Sequence, residues 1–280
     1  MEITVLESNG NRIKLYVKGV PLHVLNSIRR VILSEVPTMA ISTVVIVKNN
    51  TVFYDEYVAH RLGLIPLTSE NALNKYKSPE ECAKAEAAGY FTEDCFARFT
   101  LDYENNTDSY VTIYSGDMVA SDPDVKPVHD KIPIIVLDRG QGVKFEAYAR
   151  LGRGSEHAKW SPVSVAAHKY VADINVDYEK CRGIDCSKCV EACPKNVLEF
   201  RENKLVVRND RKLDCSLCRV CEVVCPTRAI SVSWIDNEYV FILESLGSLS
   251  IKTIFLKSIE ILENKIDELW NKLVETGVLS

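Results

Sequence analysis

Residues 215–226, CSLCRVCEVVCP, place four cysteines at the spacing C-x2-C-x2-C-x3-C and end in a proline. Eight of the ten cysteines of the chain lie between Cys181 and Cys225. Thiolates separated by two or three residues can point into one site as metal ligands, whereas a disulfide framework spaces its cysteines along a small secreted chain. The clustering therefore predicts a metal centre.

The cysteine segment contains one sequence unit twice. Residues 186–200, CSKCVEACPKNVLEF, and residues 218–232, CRVCEVVCPTRAISV, align at an offset of 32 residues. Because the two copies share their cysteine spacing and their Cys-Pro pair, we predict a duplicated module. The aligned pairs are Cys186 with Cys218, Cys189 with Cys221, Cys193 with Cys225 and Pro194 with Pro226.

The duplicated pattern resembles the bacterial-type ferredoxin fold. In that fold three cysteines of one run hold one cluster, and the fourth, which precedes the proline, ligates the other cluster. A compact loop can point three thiolates at one cubane, while the fourth must arrive from elsewhere. Carried over residue by residue, the resemblance implies one complete [4Fe–4S] site made by Cys193, Cys215, Cys218 and Cys221.

Zinc is the competing metal for these cysteines. A zinc ribbon would use the C-x2-C pairs at residues 186–189 and 215–218 as its two knuckles. That arrangement leaves Cys193, Cys221 and Cys225 without a role and gives no reason for two Cys-Pro pairs. Iron–sulfur chemistry is the favoured prediction.

The second cluster site is irregular. A glycine, Gly183, stands where the first cysteine of the run belongs, so only Cys186, Cys189 and Cys225 occupy the expected positions. Three alternatives stay open. Cys181 replaces the missing ligand through a changed loop and completes a second [4Fe–4S] cluster, the site holds a [3Fe–4S] cluster, or it holds nothing.

The composition is that of a globular protein of two or three domains, with 280 residues, 46% hydrophobic and 26% charged. No apolar run approaches the roughly 20 residues that span a bilayer. The N-terminus has no basic region followed by an apolar stretch, so we expect a cytoplasmic protein without membrane contact. The net charge of -5 argues against direct DNA contact, because phosphate binding depends on Lys and Arg.

Cys82 and Cys95 lie outside the cysteine cluster and have no CxxC partner. Two ordinary thiols are the simplest interpretation. A local disulfide or an additional metal contact is the alternative.

No catalytic constellation stands out in the chain. There is no Gly-rich dinucleotide fingerprint and no phosphate loop, and the stretch GRGSEH at residues 152–157 lacks the GxGxxG pattern. His157 and His168 are most simply structural.

Local patterns predict several elements. Alternating residues around Asn9-Gly10 predict a first hairpin, and apolar residues at helical spacing predict a helix between Pro21 and Pro37. A second hairpin is predicted to turn at Asn49-Asn50, followed by a short helix. Residues 98–150 are predicted to be mostly strands.

The end of the chain predicts a long helix with an apolar seam and a stop at Gly277. Packing against the chain's own core and contact with another subunit are both compatible with this seam. The length of the helix favours a subunit interface. The seam residues follow steps of four and three: Phe255, Ile259, Leu262, Ile266, Leu269 and Leu273.

Three stretches together resemble one family, the α-type assembly subunits of DNA-dependent RNA polymerase, and within it the archaeal D-type members. The D-type members are the counterparts of the eukaryotic third-largest subunit, and some carry a ferredoxin-like insertion. The stretches are PLHVLNSIRRVILSEVPTMAI (residues 21–41), YDEYVAHRLGLIPL (residues 54–67) and RLGRGSEHAKWSPV (residues 150–163).

The resemblance implies an α+β fold of three domains. Residues 1–41 and 233–280 would form one dimerisation domain, the second part carrying the long C-terminal helix. A mostly-β domain is inserted at residues 42–172, and a ferredoxin-like 4Fe-4S domain follows at residues 173–232.

The resemblance also implies a function without an active site. The chain would pair with an L-type subunit and present a platform to the large catalytic subunits, which carry nucleotidyl transfer. The segment around Arg61 resembles the region that docks the second-largest subunit and the small zinc-binding N- and P-type subunits. The alternative is a ferredoxin-like electron-transfer subunit of an oxidoreductase complex.

Residues of the first and last helices would face the dimerisation core or the L-type subunit. Arg29 and Arg30 would contact a large subunit or form a solvated helix face. The role of the clusters is structural or redox-regulatory. The predicted interface residues are Leu25, Ile28, Arg29, Arg30, Ile32, Phe255, Leu262, Ile266 and Leu269.

Overall fold

The computed structural model describes residues 1–278 and divides into two compact units. The first, which we call the cysteine unit, comprises residues 1–8, 13–25 and 167–242. The second, which we call the β unit, comprises residues 9–12 and 26–166 and the chain from residue 243 onward. No helix in residues 1–278 is long and apolar enough to cross a membrane.

The described residues form mixed α and β structure. The strands are β1 (Glu2–Asn9), β2 (Arg12–Lys18), β3 (Thr38–Asn49), β4 (Ala97–Glu104), β5 (Val111–Tyr114), β6 (Val119–Ala120), β7 (Pro133–Leu137), β8 (Gly142–Gly152), β9 (Val163–Val176), β10 (Leu198–Arg201), β11 (Lys204–Val207) and β12 (Ile230–Ser245). The helices are α1 (Leu22–Ser34), α2 (Asp55–Gly63), α3 (Ala72–Lys75), α4 (Pro79–Ala87), α5 (Lys188–Glu191), α6 (Val220–Val223) and α7 (Ile251–Glu275).

The first hairpin is confirmed. β1 and β2 are neighbours in a four-stranded sheet of order β1-β2-β12-β9, and the turn between them contains Gly10 at φ +53°. A positive φ is easily adopted by glycine, which is why the Asn9-Gly10 pair was a reliable turn signal. The sheet joins the start of the chain to the strands on either side of the cysteine segment.

The two helices predicted from periodicity are also confirmed. α1 begins just after Pro21 and ends before Pro37. α7 has Ser250 as its N-cap, whose hydroxyl accepts a hydrogen bond from the Thr253 N–H at 3.1 Å. Gly277 follows the end of α7 at φ +72°, the left-handed conformation that often ends a helix.

The second predicted hairpin is wrong. β3 ends at Asn49 as expected, but its antiparallel partner is β8, with Thr38 opposite Gly152 and Asn49 opposite Val143. After Asn49 the chain bends and enters α2. Alternation identified β3 as a strand but carried no information about its partner, which lies about a hundred residues away in sequence.

The β unit is built on a sheet of order β3-β8-β4-β6 and a two-stranded sheet of β5 and β7. α2 packs against β3 and buries Val58 and Leu62 completely. The apolar core includes Phe99 of β4 and Phe145 of β8, both fully buried. Residues 98–150 are mostly strands, as their pattern predicted, and they contribute part of this core.

Cys82 and Cys95 form a disulfide across a sequence separation of 13. The interpretation as two ordinary thiols is therefore wrong, and the local disulfide is the correct alternative. α4 carries Cys82, and its capping box of Ser78 and Glu81 fixes where the helix starts. Sequence alone could not choose, because pairing depends on the distance between the two backbones.

A nearly buried arginine links α4 to β8. The Arg150 side chain is 7% exposed and forms ion pairs with Glu86 at 2.6 Å and with Glu156 at 3.0 Å. Its guanidinium also lies over the ring of Trp160 at 4.5 Å. Burial disfavours the charged form of Glu86, but hydrogen bonds from Thr43, Ser42 and Arg150 outweigh it, so the pKa of Glu86 is lowered.

Replacing both Cys82 and Cys95 by alanine is expected to lower the free energy of unfolding of the β unit by about 3 kcal/mol, because the crosslink restricts the unfolded chain. Chemical denaturation measures the loss, and a reductant should affect the wild type only. Alkylation of the denatured, unreduced, cluster-free chain should modify eight cysteines. Modification of all ten would contradict the disulfide.

Glu86→Gln is expected to reduce the acid sensitivity of the β unit. The pKa of Glu86 in the folded protein lies below the ordinary value of a glutamate, so its stabilisation is present above that ordinary value and is lost as the pH falls through the lowered pKa. The wild type should therefore lose more stability than the variant between about pH 7 and pH 3. Glu104→Gln, at an exposed carboxyl on β4, is the control. Equal pH profiles for wild type and Glu86→Gln would refute the role of Glu86.

Candidate iron–sulfur centre and helix surface

The two copies of the cysteine repeat have equivalent structures. α5 and α6 are four-residue helices that begin at Lys188 and Val220, at the same offset of 32 residues as the sequence repeat. β10 and β12 begin at equivalent positions, Leu198 and Ile230. The sequence repeat is therefore a structural repeat.

The Cys-Pro turns of the two copies share their hydrogen bonds. The Val197 N–H donates to Cys193 Sγ at 3.4 Å, and the Ala229 N–H donates to Cys225 Sγ at 3.2 Å. The residues just before these donors, Asn196 and Arg228, are left-handed in both copies, with φ of 50° and 52°. A hydrogen bond to sulfur favours the thiolate, which is the form that binds metal.

Backbone pairing crosses between the copies. The Arg208 N–H donates to the Val197 carbonyl at 2.8 Å, and the Asp177 N–H donates to the Ala229 carbonyl at 2.8 Å. Each strand that follows a Cys-Pro turn thus meets the segment that precedes the other copy. This pairing brings the fourth cysteine of each run towards the other run, as the ferredoxin-type pattern requires.

The structure brings the first predicted ligand set together. Cys193, Cys215, Cys218 and Cys221 line one small cavity. Burial, together with the charges of the other three cysteines, raises the pKa of Cys221 to about 11. The Cys221 thiolate therefore needs a cation close by, and with four cysteines lining one cavity the site fits an iron–sulfur cluster.

The loop around Cys218 has an unusual backbone. Leu217 and Arg219, on either side of Cys218, have φ of 56° and 58°. A non-glycine residue in this region costs energy, and such residues concentrate at functional sites. The pKa of Cys218 is lowered, chiefly by a hydrogen bond from the Val220 N–H.

The second set is also partly assembled. Cys189 is buried, and burial, together with the charges of Cys225 and Cys181, raises its pKa. In Cys225, burial opposes ionisation, but hydrogen bonds from Thr227 and the Ala229 N–H lower the pKa. Cys189 therefore lies near both Cys225 and Cys181, the substitute ligand considered from sequence.

Cys186 and Gly183 mark where the second set differs from the first. Cys186 directly follows the 3-10 turn Gly183–Asp185 and is partly buried. Gly183 has φ +64°, and an added Cβ would lie 2.7 Å from the Asn203 carbonyl oxygen. A cysteine at residue 183 would clash in this loop, which is consistent with a thiol being supplied from residue 181 instead.

The cysteine pairing expected for a zinc ribbon does not form. Cys215 and Cys218 share their cavity with Cys193 and Cys221, while Cys189 lies near Cys225. Among residues 1–278 no three His, Cys, Asp or Glu side chains converge closely enough to hold a single metal ion. A cubane is wider than one ion, so its thiolates stand further apart.

Two lysines that the sequence did not single out hold the loop at Cys215, where the second cysteine run begins. Lys169 of β9 donates from Nζ to the Cys215 carbonyl at 2.8 Å, and Lys14 of β2 pairs with Asp214 at 3.2 Å. Burial lowers the pKa of Lys169, and the charge of Lys14 lowers it further. No local pattern marks these lysines, because their partners are about 46 and 200 residues away.

The predicted interface residues differ in their exposure. Leu25 and Ile32 of α1 are buried at 6% and 0% exposure, which places them in the chain's own core. Ile266 and Leu269 of α7 are 65% and 59% exposed. The remaining ones are partly buried or, in the case of Arg30, exposed: Ile28, Arg29, Arg30, Phe255 and Leu262.

α7 changes character along its length. Its first turns bury Ile254 and Ser258, whereas beyond Leu262 its apolar side chains are mostly exposed. Trp270 is among them and is 59% exposed. Lys265 pairs with Glu35 at 2.5 Å. The helix therefore presents an uncovered apolar surface, which we call the α7 surface: Ile259, Ile266, Leu269, Trp270 and Val274.

Other predicted positions have structural contacts. Arg61 donates to the Pro133 carbonyl and lies over the Tyr57 ring at 5.8 Å. Arg29 donates to the Asn26 side chain at 2.9 Å. His157 caps a short 3-10 turn by accepting from the Lys159 N–H. His168 lies edge-on to the Tyr239 ring at 6.0 Å.

Two family models match the chain. The RNA polymerase Rpb3/RpoA insert domain matches residues 44–173, and the 4Fe-4S dicluster domain matches residues 180–229. The fold and the cysteine arrangement thus define an RNA polymerase α-type subunit with an iron–sulfur domain. The α+β fold with a mostly-β insert and a ferredoxin-like insert is confirmed, as is an iron–sulfur cofactor. The domain boundaries predicted from the sequence stay a prediction.

Relatives match along nearly the whole chain. The DNA-directed RNA polymerase subunit Rpo3 of Methanosphaera stadtmanae is 39% identical, over 97% of this chain and 98% of the relative. The Rpo3 subunits of Aeropyrum pernix and Archaeoglobus fulgidus are 38% and 39% identical, over 99% and 98% of this chain and 96% and 98% of the relatives. The chain belongs to the archaeal Rpo3 family of DNA-directed RNA polymerase subunits.

Family membership decides between the two functions considered from sequence. The relatives carry the name of a polymerase subunit and match the parts outside the cysteine segment as well as the segment itself. The alternative, an electron-transfer subunit of an oxidoreductase, is therefore wrong.

Proposed function

We propose that this chain is a non-catalytic assembly platform of DNA-dependent RNA polymerase, which pairs with an L-type subunit and docks the large catalytic subunits. The observation that carries the proposal is the α7 surface. A helix that leaves several large apolar side chains in water stabilises a protein poorly unless a partner covers them. Other polymerase subunits are the partners that membership of the Rpo3 family implies.

The L-type subunit is assigned to the α7 surface because of the spacing of the apolar residues along α7. Apolar positions at steps of three and four along α7 form a continuous stripe that a second helix can pack against. The small zinc-binding N- and P-type subunits and the second-largest subunit are assigned to the β unit around Arg61, on the strength of the family resemblance. The cytoplasmic location stays a prediction.

We also propose the ligands of the clusters. Cys193, Cys215, Cys218 and Cys221 would hold a [4Fe–4S] cluster, which supplies metal–thiolate bonds and the capacity to take up one electron. The support is their common cavity. The second cluster would be held by Cys181, Cys186, Cys189 and Cys225, and the support is that Cys189 interacts electrostatically with both Cys181 and Cys225.

The clusters are assigned a structural role. The apolar cluster of the ferredoxin-like segment is small, and its buried members are Cys189, Leu198, Leu205, Ile230 and Val232. So small a core stabilises a domain weakly, and small domains commonly rely on metal instead. Each ligand set draws cysteines from both copies of the repeat, so a cluster in each would crosslink the copies.

Ile266→Asp combined with Leu269→Asp is expected to weaken pairing with the L-type subunit roughly 30-fold or more, since two charges would enter an apolar interface. Titration calorimetry under anaerobic conditions measures the affinity. Asn264→Asp with Asn271→Asp adds the same charge at exposed positions on the opposite side of α7 and should pair normally. Normal pairing by the first variant would show that α7 is not the interface.

Cys218→Ser is expected to remove the first cluster and about half of the iron and acid-labile sulfide, because three remaining thiolates hold a cubane poorly. Cys181→Ser should keep the first cluster and change only the second. Iron analysis and electron paramagnetic resonance distinguish the two losses. Full iron content in Cys218→Ser would disprove the first ligand assignment. Unchanged spectra in Cys181→Ser would exclude Cys181 from the second.

A further inference from the structure

A second cavity of the cysteine unit lies beside the loop at Cys215. Its volume is about 480 Å³, within the range of small-molecule sites. Side chains from four separate parts of the chain meet there: Lys14 of β2, Lys169 of β9, Lys195 after the first Cys-Pro turn, and Arg211 before the second run. Lys14 and Lys169 also hold the loop at Cys215, whereas Lys195 and Arg211 have no role in the ferredoxin-like pattern or in the assembly function.

The cavity carries a large excess of positive charge. Asp214 is the one carboxylate among its lining residues, and it pairs with Lys14 at 3.2 Å. Within residues 1–278, Lys169, Lys195 and Arg211 have no carboxylate at ion-pair distance. Four cations and one carboxylate leave a net charge of about +3 in one concavity, although the whole chain carries -5.

Two of the cations are fixed in position. Lys169 is held by its hydrogen bond to the Cys215 carbonyl, and Lys14 by Asp214. Both side chains and that of Arg211 are partly buried, whereas Lys195 is exposed. Cations held before a ligand arrives lose little conformational freedom on binding, so the site is preorganised for an anion.

We infer that this cavity binds a small anion of the phosphate class, with several charged oxygens, such as a diphosphate or a nucleoside polyphosphate. Arg211 offers a planar fork that can contact two phosphate oxygens, and the lysines offer further charge. Asn196 and Ser216 supply neutral donors from the same lining. The four cations line one concavity, so a compact ligand with several charged oxygens can reach them together.

Calorimetric titration of the full, cluster-loaded chain with inorganic pyrophosphate under anaerobic conditions tests this inference. We expect saturable binding that Lys195→Gln combined with Arg211→Gln weakens by roughly tenfold or more, as each lost cation removes a charge-assisted contact. These two residues are chosen because neither holds the cysteine loop. The cluster absorbance confirms that the variant is intact.

The control has the same change of charge outside the cavity. Lys204→Gln with Lys252→Gln alters two exposed lysines and should bind pyrophosphate as the wild type does. No binding by the wild type would overturn the inference, and the role of the four cations would then be to balance the negative charge of the cluster. Equal weakening by both double variants would reduce the effect to net charge and also overturn it. Binding of a hexaglutamate peptide without binding of pyrophosphate would assign the cavity to an acidic segment instead.

Discussion

The approach of thiol groups from two copies of one repeat is the constraint on which the cysteine unit depends. Cys193 of the first copy shares a cavity with Cys215, Cys218 and Cys221 of the second. Burial and the charges of the other three cysteines raise the pKa of Cys221, so its thiolate is unfavourable unless a cation lies close by. The thiols are brought together by two features. One is the backbone pairing between the copies, and the other is the left-handed backbone on either side of Cys218. Because its apolar cluster is small, the segment has little else to hold it together.

The cysteine loop is also tied to the large sheet of its unit. Lys14 of β2 and Lys169 of β9 reach Asp214 and the Cys215 carbonyl, so both strands help to set where the second cysteine run begins. β2 belongs to the hairpin at the start of the chain, and β9 immediately precedes the cysteine segment. The inserted segment is therefore not an independent appendage, because Cys215 is positioned by strands that lie outside it.

The β unit has a larger apolar core than the cysteine segment, but it carries a helix, α7, whose apolar side chains are partly exposed. The β unit has a full apolar core and two additional links, the Cys82–Cys95 disulfide and the ion pairs of Arg150. α7 starts in contact with buried surroundings at Ile254 and then exposes apolar residues such as Ile266. A stable unit that carries a partly uncovered helix is suited to bind another chain, since binding costs it little ordering.

Local sequence determined the elements that depend on neighbouring residues. The Asn9-Gly10 turn, the two amphipathic helices and the duplicated cysteine run were all readable, because turn chemistry, helical periodicity and ligand spacing act over a few residues. Only the tertiary structure decided the partner of β3, the disulfide between Cys82 and Cys95, and the lysine contacts at Cys215. Each depends on which distant segments meet, and one-dimensional spacing does not encode that meeting.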